Sequence, residues 1–283
     1  MAKTAFITMD VESFYDTSCV KERISPRKEN TCKEQVKEFL DILDERGIKA
    51  TLFVVGEFLA DCKEYLQKAV SRGHEIAVHA YSHISPSKRT EEEFVSDLIK
   101  AKTLIETELG VKVSGYRAPC FGIDDRKAEI LKSNGFIFDS SAMCAAADND
   151  LSLSGYEKTT DLVYTKDGFW EFALPTERFF GHNVPICGGG YLRLAPWRLN
   201  KKLFSRAVKK EKDYVLYLHP FELFSGKLPK IDGLKSSDRY YINAGRKRFG
   251  KKIKYILDVL SDSGYRFYGM KEYIDEHYAS TRS

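Results

Sequence analysis

Glu75-Ile76-Ala77-Val78-His79-Ala80-Tyr81-Ser82-His83 is an apolar run of strand type that stops in two histidines. The same form recurs along the chain. Ala5-Phe6-Ile7-Thr8-Met9 runs into Asp10-Val11-Glu12, and the run at 113–117 ends in Tyr116-Arg117-Ala118-Pro119. The run at 136–139 ends in Phe138-Asp139, and Val215-Leu216-Tyr217-Leu218 runs into His219-Pro220. Between these runs lie amphipathic stretches at 33–46, 57–72, 91–109 and 124–134, each followed by a glycine that stops a helix: Gly47, Gly73, Gly110 and Gly135. Alternating short strands and helices build a parallel sheet covered by helices. The reading is one α/β domain over 1–283, a distorted TIM-like barrel of parallel strands.

The middle of the chain reads differently. Residues 142–160 look like a long loop, and 169–174 and 185–194 look like strands flanking an insertion at about 142–195. Helix returns at 196–209, strand at 214–218, helix at 246–261 and strand at 265–268. The 283 residues are 43% hydrophobic and 13% aromatic, enough for a sizeable core and unlike a disordered chain. Asp10 interrupts the N-terminal run before a signal-peptide apolar region develops, and no stretch nears the roughly 18 apolar residues of a membrane helix. A soluble cytoplasmic protein without a cleaved leader is expected. The six cysteines (Cys19, Cys32, Cys62, Cys120, Cys144 and Cys187) show no metal-binding spacing and are expected to be reduced, mostly buried thiols.

In a barrel of this kind the chemistry sits where strands end. His79 and His83 are four apart, so a helical turn would bring both rings to one ion. Neutral imidazoles suit borderline metals such as zinc, and a carboxylate completes a three-ligand site. Asp10 or Glu12 can supply that oxygen, leaving the other to take a proton from water. A zincin motif at His74-Glu75 fails on register, because three residues separate Glu75 from His79. His219 reads either as a satisfied core histidine or as a general acid toward a departing amine. Asp139 would then tune that acid, unless it only caps a turn before Ser140-Ser141. Arg117 would hold Asp10 by a bidentate contact, with a purely structural ion pair as the alternative.

Taken together, Asp10-Val11-Glu12, Gly73-His74-Glu75-Ile76, His79 to His83, Arg117-Ala118-Pro119, Asp139 and Leu218-His219 resemble the polysaccharide deacetylases, the NodB-homology proteins of carbohydrate esterase family 4. The resemblance spans roughly residues 4–270. It implies a distorted barrel of about seven βα units and a divalent metal, most often Zn²⁺, with Co²⁺, Ni²⁺, Mn²⁺ or Fe²⁺ as alternatives. It makes Asp10 the catalytic base, Glu12, His79 and His83 the metal ligands, and Arg117 the brace of the base. It makes His219 the catalytic acid, Asp139 its tuning carboxylate, and the Cys120 backbone amide an oxyanion donor. The family's first motif usually has adjacent aspartates; here the second carboxylate is Glu12, one residue further on, as in a subgroup with Asp-Val-Glu. Gly188-Gly189-Gly190-Tyr191-Leu192-Arg193 also resembles that subgroup, and its glycines would let backbone approach a sugar.

The implied reaction is hydrolysis of the N-acetyl or other N-acyl group of an amino sugar in a bacterial surface glycan or its precursor. A small-molecule amide hydrolase and a silent glycan-binding protein are the alternatives. Aromatic residues at Phe169-Trp170, Phe179-Phe180, Tyr191 and Trp197 would either stack on sugars or pack the core. Residues 198–254 hold 17 lysines and arginines against 5 acids, a net of +12 in a chain whose total is +4. That face is either simply solvated or meets an anionic partner: a lipid-linked or acidic glycan, a nucleotide sugar, or an anionic membrane touched peripherally at its inner surface. No recognition motif points to nucleic acid.

Overall fold

The computed structural model describes residues 3–17, 20, 32–143, 153–210 and 213–278. Strand β1 (Thr4–Val11) is buried along its whole length and organises the sheet. It pairs in parallel with β2 (Thr51–Val54), β11 (Tyr214–Leu218) and β12 (Arg266–Tyr268). Beyond β2 the sheet continues through β3 (Glu75–Val78), β4 (Gly115–Tyr116), β5 (Phe138–Asp139) and β8 (Phe169–Phe172), all parallel. From β11 to β8 this is a run of seven parallel strands, the strand layer of the expected distorted barrel. A β6 (Glu157–Lys158), β7 (Val163–Lys166) and β8 meander extends it antiparallel, while β9 (Thr176–Phe179) and β10 (His182–Pro185) form a separate hairpin.

The alternation of side chains along a strand divides the core in two. Ala5, Ile7, Met9 and Val11 pack with Leu52, Val54, Ile76, Val78, Leu216 and Leu218 toward the helices. Phe6 faces the other way, with Phe53, Phe138, Phe172, Val215 and Tyr217. The same period of two puts Thr8 and Asp10 on Phe6's side of β1, so the interior is aromatic at one end of the strands and polar at the other. The helix Glu91–Leu109 starts at a Thr90–Glu93 capping box and stops at left-handed Gly110, as its sequence demands.

The strand expected at 169–174 forms as β8, and it lies beside β5 in the main sheet. One reading of the middle segment changes. Residues 189–194 form a helix, Gly189–Leu194, instead of a strand. Gly188 and Gly189 admit the protein's own side chains. A Cβ on Gly189 would lie 1.7 Å from Glu222 Oε2, and one on Gly188 2.4 Å from the Tyr217 hydroxyl. Of the cysteines, Cys32, Cys62 and Cys187 are buried, while Cys120 is exposed; Cys19 and Cys144 lie outside the described residues. No helix among the described residues is long and apolar enough to cross a membrane.

The β5–β8 register sets Asp139 directly against Glu171, and both carboxyls are fully buried. Ser141 Oγ donates to Asp139 at 2.7 Å, and the Ser141 and Ala142 amides donate to Glu171 Oε1 at 2.9 and 2.8 Å. Burial first, and then the neighbouring Asp139 charge, lift Glu171 well above the ordinary carboxylate range; burial pushes Asp139 up to about 6. Glu171 is therefore the member of the pair that keeps its proton. A carboxyl whose folded pKa is raised stabilises the fold below its unfolded pKa, and that contribution is lost as pH rises toward the folded value. The wild type is expected to lose stability from pH 5 to pH 9. Glu171→Gln, which keeps a donor toward Asp139 and cannot ionise, is expected to lose less over the same interval, as measured by urea unfolding.

Candidate active site

Arg117 is fully buried where β4 ends, and its guanidinium is spoken for on every side. Nε donates to the Ser140 carbonyl at 2.9 Å and Nη2 to Ser140 Oγ at 2.8 Å. Nη1 donates to Thr8 Oγ1 at 2.8 Å and to Asp10 Oδ1 at 2.7 Å. The plane stacks 4.1 Å from the Phe53 ring. The contact to Asp10 is thus single, not bidentate, because the other donors hold Ser140 and Thr8. Asp10 Oδ2 remains turned toward His79 Nε2 at 4.0 Å and His219 Nε2 at 3.9 Å.

Glu12, His79 and His83 converge: one ligand atom from each lies within 4.8 Å of the others, and all three residues are buried. Glu12 Oε2 is 2.6 Å from His83 Nε2 and 3.7 Å from His79 Nε2, yet it has no aligned hydrogen-bond donor. A buried carboxylate oxygen crowded by two imidazoles and bonded to neither suits a shared cation. The His79 Nδ1 lies 2.8 Å from the Arg117 carbonyl, which accepts its proton and leaves Nε2 as the ligand atom. This donor set fits a divalent ion of zinc type. Of the two acids left open by the sequence, Glu12 is the one among the imidazoles, and Asp10 is the one held by Arg117.

The two histidines do not meet through a helical turn. After β3 the chain bends, with Ala80 at φ 63° and His83 at φ 52°. The bend is clamped from outside, where Asp97 accepts from the Tyr81 and Ser82 amides and pairs with Arg89 at 2.9 Å. From inside, Gly56 N–H donates to the Ala80 carbonyl. A side chain at Gly56 would run into the Tyr81 ring at 2.6 Å.

His219 closes the site, but its partner is not the expected one. Asp139 belongs to the buried pair with Glu171, whereas His219 Nδ1 lies 3.2 Å from Glu222 Oε2, which also accepts the His219 amide at 3.1 Å. Behind it, Arg193 Nε donates to Glu222 Oε1 at 3.1 Å, and both residues are buried. Burial disfavours the charged imidazolium, but Glu12, Glu222 and Asp10 together outweigh it and push His219 up to about 9. Burial would raise Glu222, yet its bond to His219 and the nearby Arg193 charge leave it lowered. Glu12 is likewise carried well below the ordinary value by His83 and His219, against the effect of burial. Sequence reading missed Glu222, and it gave Arg193 no role beyond a place in the Gly188 to Arg193 segment. The signal for Glu222 was present, since His219-Pro220-Phe221-Glu222 has the spacing of a capping box with proline at the first helical position.

Asp10, Glu12, His79, His83 and His219 line a cavity of about 200 Å³, and Cys120 lies at its edge with φ 56°. Its aromatic walls are Phe121, Tyr217, Phe221 and Tyr241. Of the aromatics singled out in the sequence, Phe169 and Trp170 are core residues, and Phe180 and Tyr191 are exposed elsewhere.

Comparison with known proteins agrees with this geometry. Residues 13–138 match the family model for polysaccharide deacetylase, and residues 140–275 match one described only as a domain of unknown function, DUF3473. Chitin deacetylase 1 of Cryptococcus neoformans var. grubii is 34% identical over 123 residues, 41% of this chain and 26% of that protein. Peptidoglycan-N-acetylglucosamine deacetylase of Bacillus cereus is 29% identical over 86 residues, 30% of this chain and 31% of that protein. The chain therefore aligns with about a third or less of each. Among solved structures, a family 4 carbohydrate esterase from Bacillus anthracis superposes with TM-score 0.52 at 16% identity, covering 98% of this chain and 84% of the other. A CE4 family pseudoenzyme from the same organism superposes with TM-score 0.56 at 14% identity, covering 97% and 66%. With its parallel α/β fold, its ordered motifs and the match over residues 13–138, the chain carries a polysaccharide deacetylase segment and resembles the NodB-homology proteins of carbohydrate esterase family 4.

Proposed function

We propose that the protein is a metal-dependent amidohydrolase that removes the N-acetyl, or another N-acyl, group from an amino sugar in a bacterial surface glycan or its precursor, with residues 1–283 working as one catalytic unit. The observation that carries this reading is the placement of two proton-handling groups, Asp10 and His219, beside a converged Glu12–His79–His83 set. A binding protein needs neither.

Glu12, His79 and His83 would hold the ion, most often Zn²⁺ in this family. When bound there, it supplies Lewis acidity toward an acyl oxygen and water. Asp10, fixed through Oδ1 by Arg117, presents Oδ2 to take the proton from the attacking water. The Cys120 amide donates to the oxygen that becomes negative as the tetrahedral carbon forms. His219 gives its Nε2 proton to the departing amine, releasing a carboxylic acid and a free amino sugar. Glu222 accepts from Nδ1 and so keeps Nε2 aimed inward, the part that sequence reading gave to Asp139. The aromatic walls offer faces to sugar rings. The cytoplasmic placement expected from the sequence belongs to the same proposal.

Two measurements test this. Acetate release from N-acetylated oligosaccharides is expected to depend on bound metal. Asp10→Asn and His219→Ala are each expected to lower kcat by about 10²- to 10⁴-fold with metal retained. Wild-type rates in both would overturn the assigned roles. Glu222→Gln is expected to lower kcat by about 10- to 100-fold with KM little changed, the size typical of a group that orients a functional histidine. Its imidazole ¹⁵N shifts, read above pH 9 where the ring is neutral, should show loss of the Nδ1–H tautomer. Asp139→Asn should leave that tautomer in place.

A further inference from the structure

A second cavity, of about 660 Å³, opens beside the turn at 243–248. Trp197 and Tyr255 form its apolar wall, with rings 5.3 Å apart and edge to face. Five cations line the rest, namely Arg246, Lys247, Arg248, Lys251 and Lys252, and among the described residues no acidic one does. Lys201 adds a sixth ammonium 4.4 Å over the Tyr255 ring.

What distinguishes this cluster from a solvated basic face is how its charges are held. Among the described residues, none of the five lining cations has a carboxylate within ion-pair distance. Arg246 is only 6% exposed, and its donors go to the Phe224 and Gly226 carbonyls and the Asn243 side chain, with Nε unpartnered. Lys252 is half-buried and donates to the Leu192 and Arg193 carbonyls. Burial and the nearby Arg193 charge lower the pKa of both Arg246 and Lys252. Arg193 itself cannot help, because its own charge is matched by Glu222. Arg246, Lys247 and Lys251 also border a neighbouring groove with acids on its far wall. There Asp41 is taken by Lys37, Glu45 by Arg46 and Lys254, and Glu34 accepts from the Tyr65 hydroxyl, while Glu38 faces the Lys254 charge. Cations gathered in a concavity without counter-charge raise the local potential and favour an anion.

We propose that this cavity is a binding site, separate from the catalytic one, for a phosphate ester with an apolar body. The cations at 246–252 would bind the phosphoryl oxygens, and the apolar part would lie on Trp197 and Tyr255. A phosphoryl group fits better than a single carboxylate, since it offers more acceptor oxygens to the exposed Lys247, Arg248 and Lys251 and more charge to the positive field that Arg246 and Lys252 add. The site shares its connecting chain with the active site. Tyr241 walls the catalytic cavity, while Asn243, Gly245 and Arg246 line this one.

Binding alone tests it, so its outcome is independent of deacetylation. The probes for titration calorimetry at 0.15 M salt are farnesyl diphosphate, uridine diphosphate and inorganic pyrophosphate; vesicles of phosphatidylglycerol in phosphatidylcholine are tested by cosedimentation. Farnesyl diphosphate is expected to bind more tightly than pyrophosphate. Vesicle binding would mark a membrane source for the ligand, and uridine diphosphate binding without vesicle binding a soluble one. Lys247→Ala with Lys251→Ala, both exposed positions, is expected to weaken binding about 10- to 30-fold. Its melting temperature should be unchanged. The proposal is overturned if no probe binds, or if the double variant binds as the wild type does.

Discussion

One buried charge dictates the architecture of the candidate site. A guanidinium with no access to water is tolerated only when its donors are matched and a counter-charge is close, and removing one partner of such a pair typically costs about 3–5 kcal/mol. Arg117 meets that condition by reaching Thr8 and Asp10 on β1 and Ser140 after β5, with Phe53 of β2 beneath its plane. Its carbonyl, meanwhile, fixes the tautomer of His79 after β3. Each of these strand ends must therefore sit where Arg117 needs it. The carboxylate of Asp10 is oriented by the fold before any ligand arrives, and a group held in advance need not reorganise when charge develops.

The second constraint is strand register. β1 and β11 pair with Met9 opposite Leu218, so the next residue on each strand, Asp10 and His219, emerges at the same level. The segment that matches the deacetylase model supplies His79, His83 and Arg117, and the segment of undescribed function supplies His219 and the Arg193–Glu222 support behind it. Neither segment holds a whole site. The parallel pairing of β11 with β1 is what assembles one, and this gives the second segment a structural reason to accompany the first.

Much of this was legible in the sequence because it depends on local patterns. A polar residue at the end of an apolar strand reads out directly, and Asp10, Glu12, His79, Arg117 and His219 were all found in that way. What did not read out depends on tertiary packing. Asp139 looks like a site residue from its position after Phe138, yet the β5–β8 register turns it against Glu171. Residues 185–194 carry strand-like composition, but the close approach of Glu222 and Tyr217 to Gly188 and Gly189 places a helix there. The aromatic walls come from four separate segments, and no pattern within any one of them marks Phe121 or Tyr241 as facing the cavity.

The left-handed residues show how the two histidines come together without a helix. Ala80, His83, Cys120 and Phe121 all have positive φ without being glycine; the last three line the candidate site's cavity, and Ala80 follows His79, which also lines it. Each such residue costs on the order of 1–3 kcal/mol and persists only where its surroundings hold it. Here the holding groups can be named. Asp97 and Arg89 fix the bend after β3 from outside, and Gly56 closes it from inside by giving the Tyr81 ring room that any side chain would take. A helical turn would have satisfied its backbone internally, with no need of these contacts. The bend instead sends both imidazoles inward toward Glu12, so the backbone strain at this rim and the convergence of the ligand set are consequences of the same local geometry.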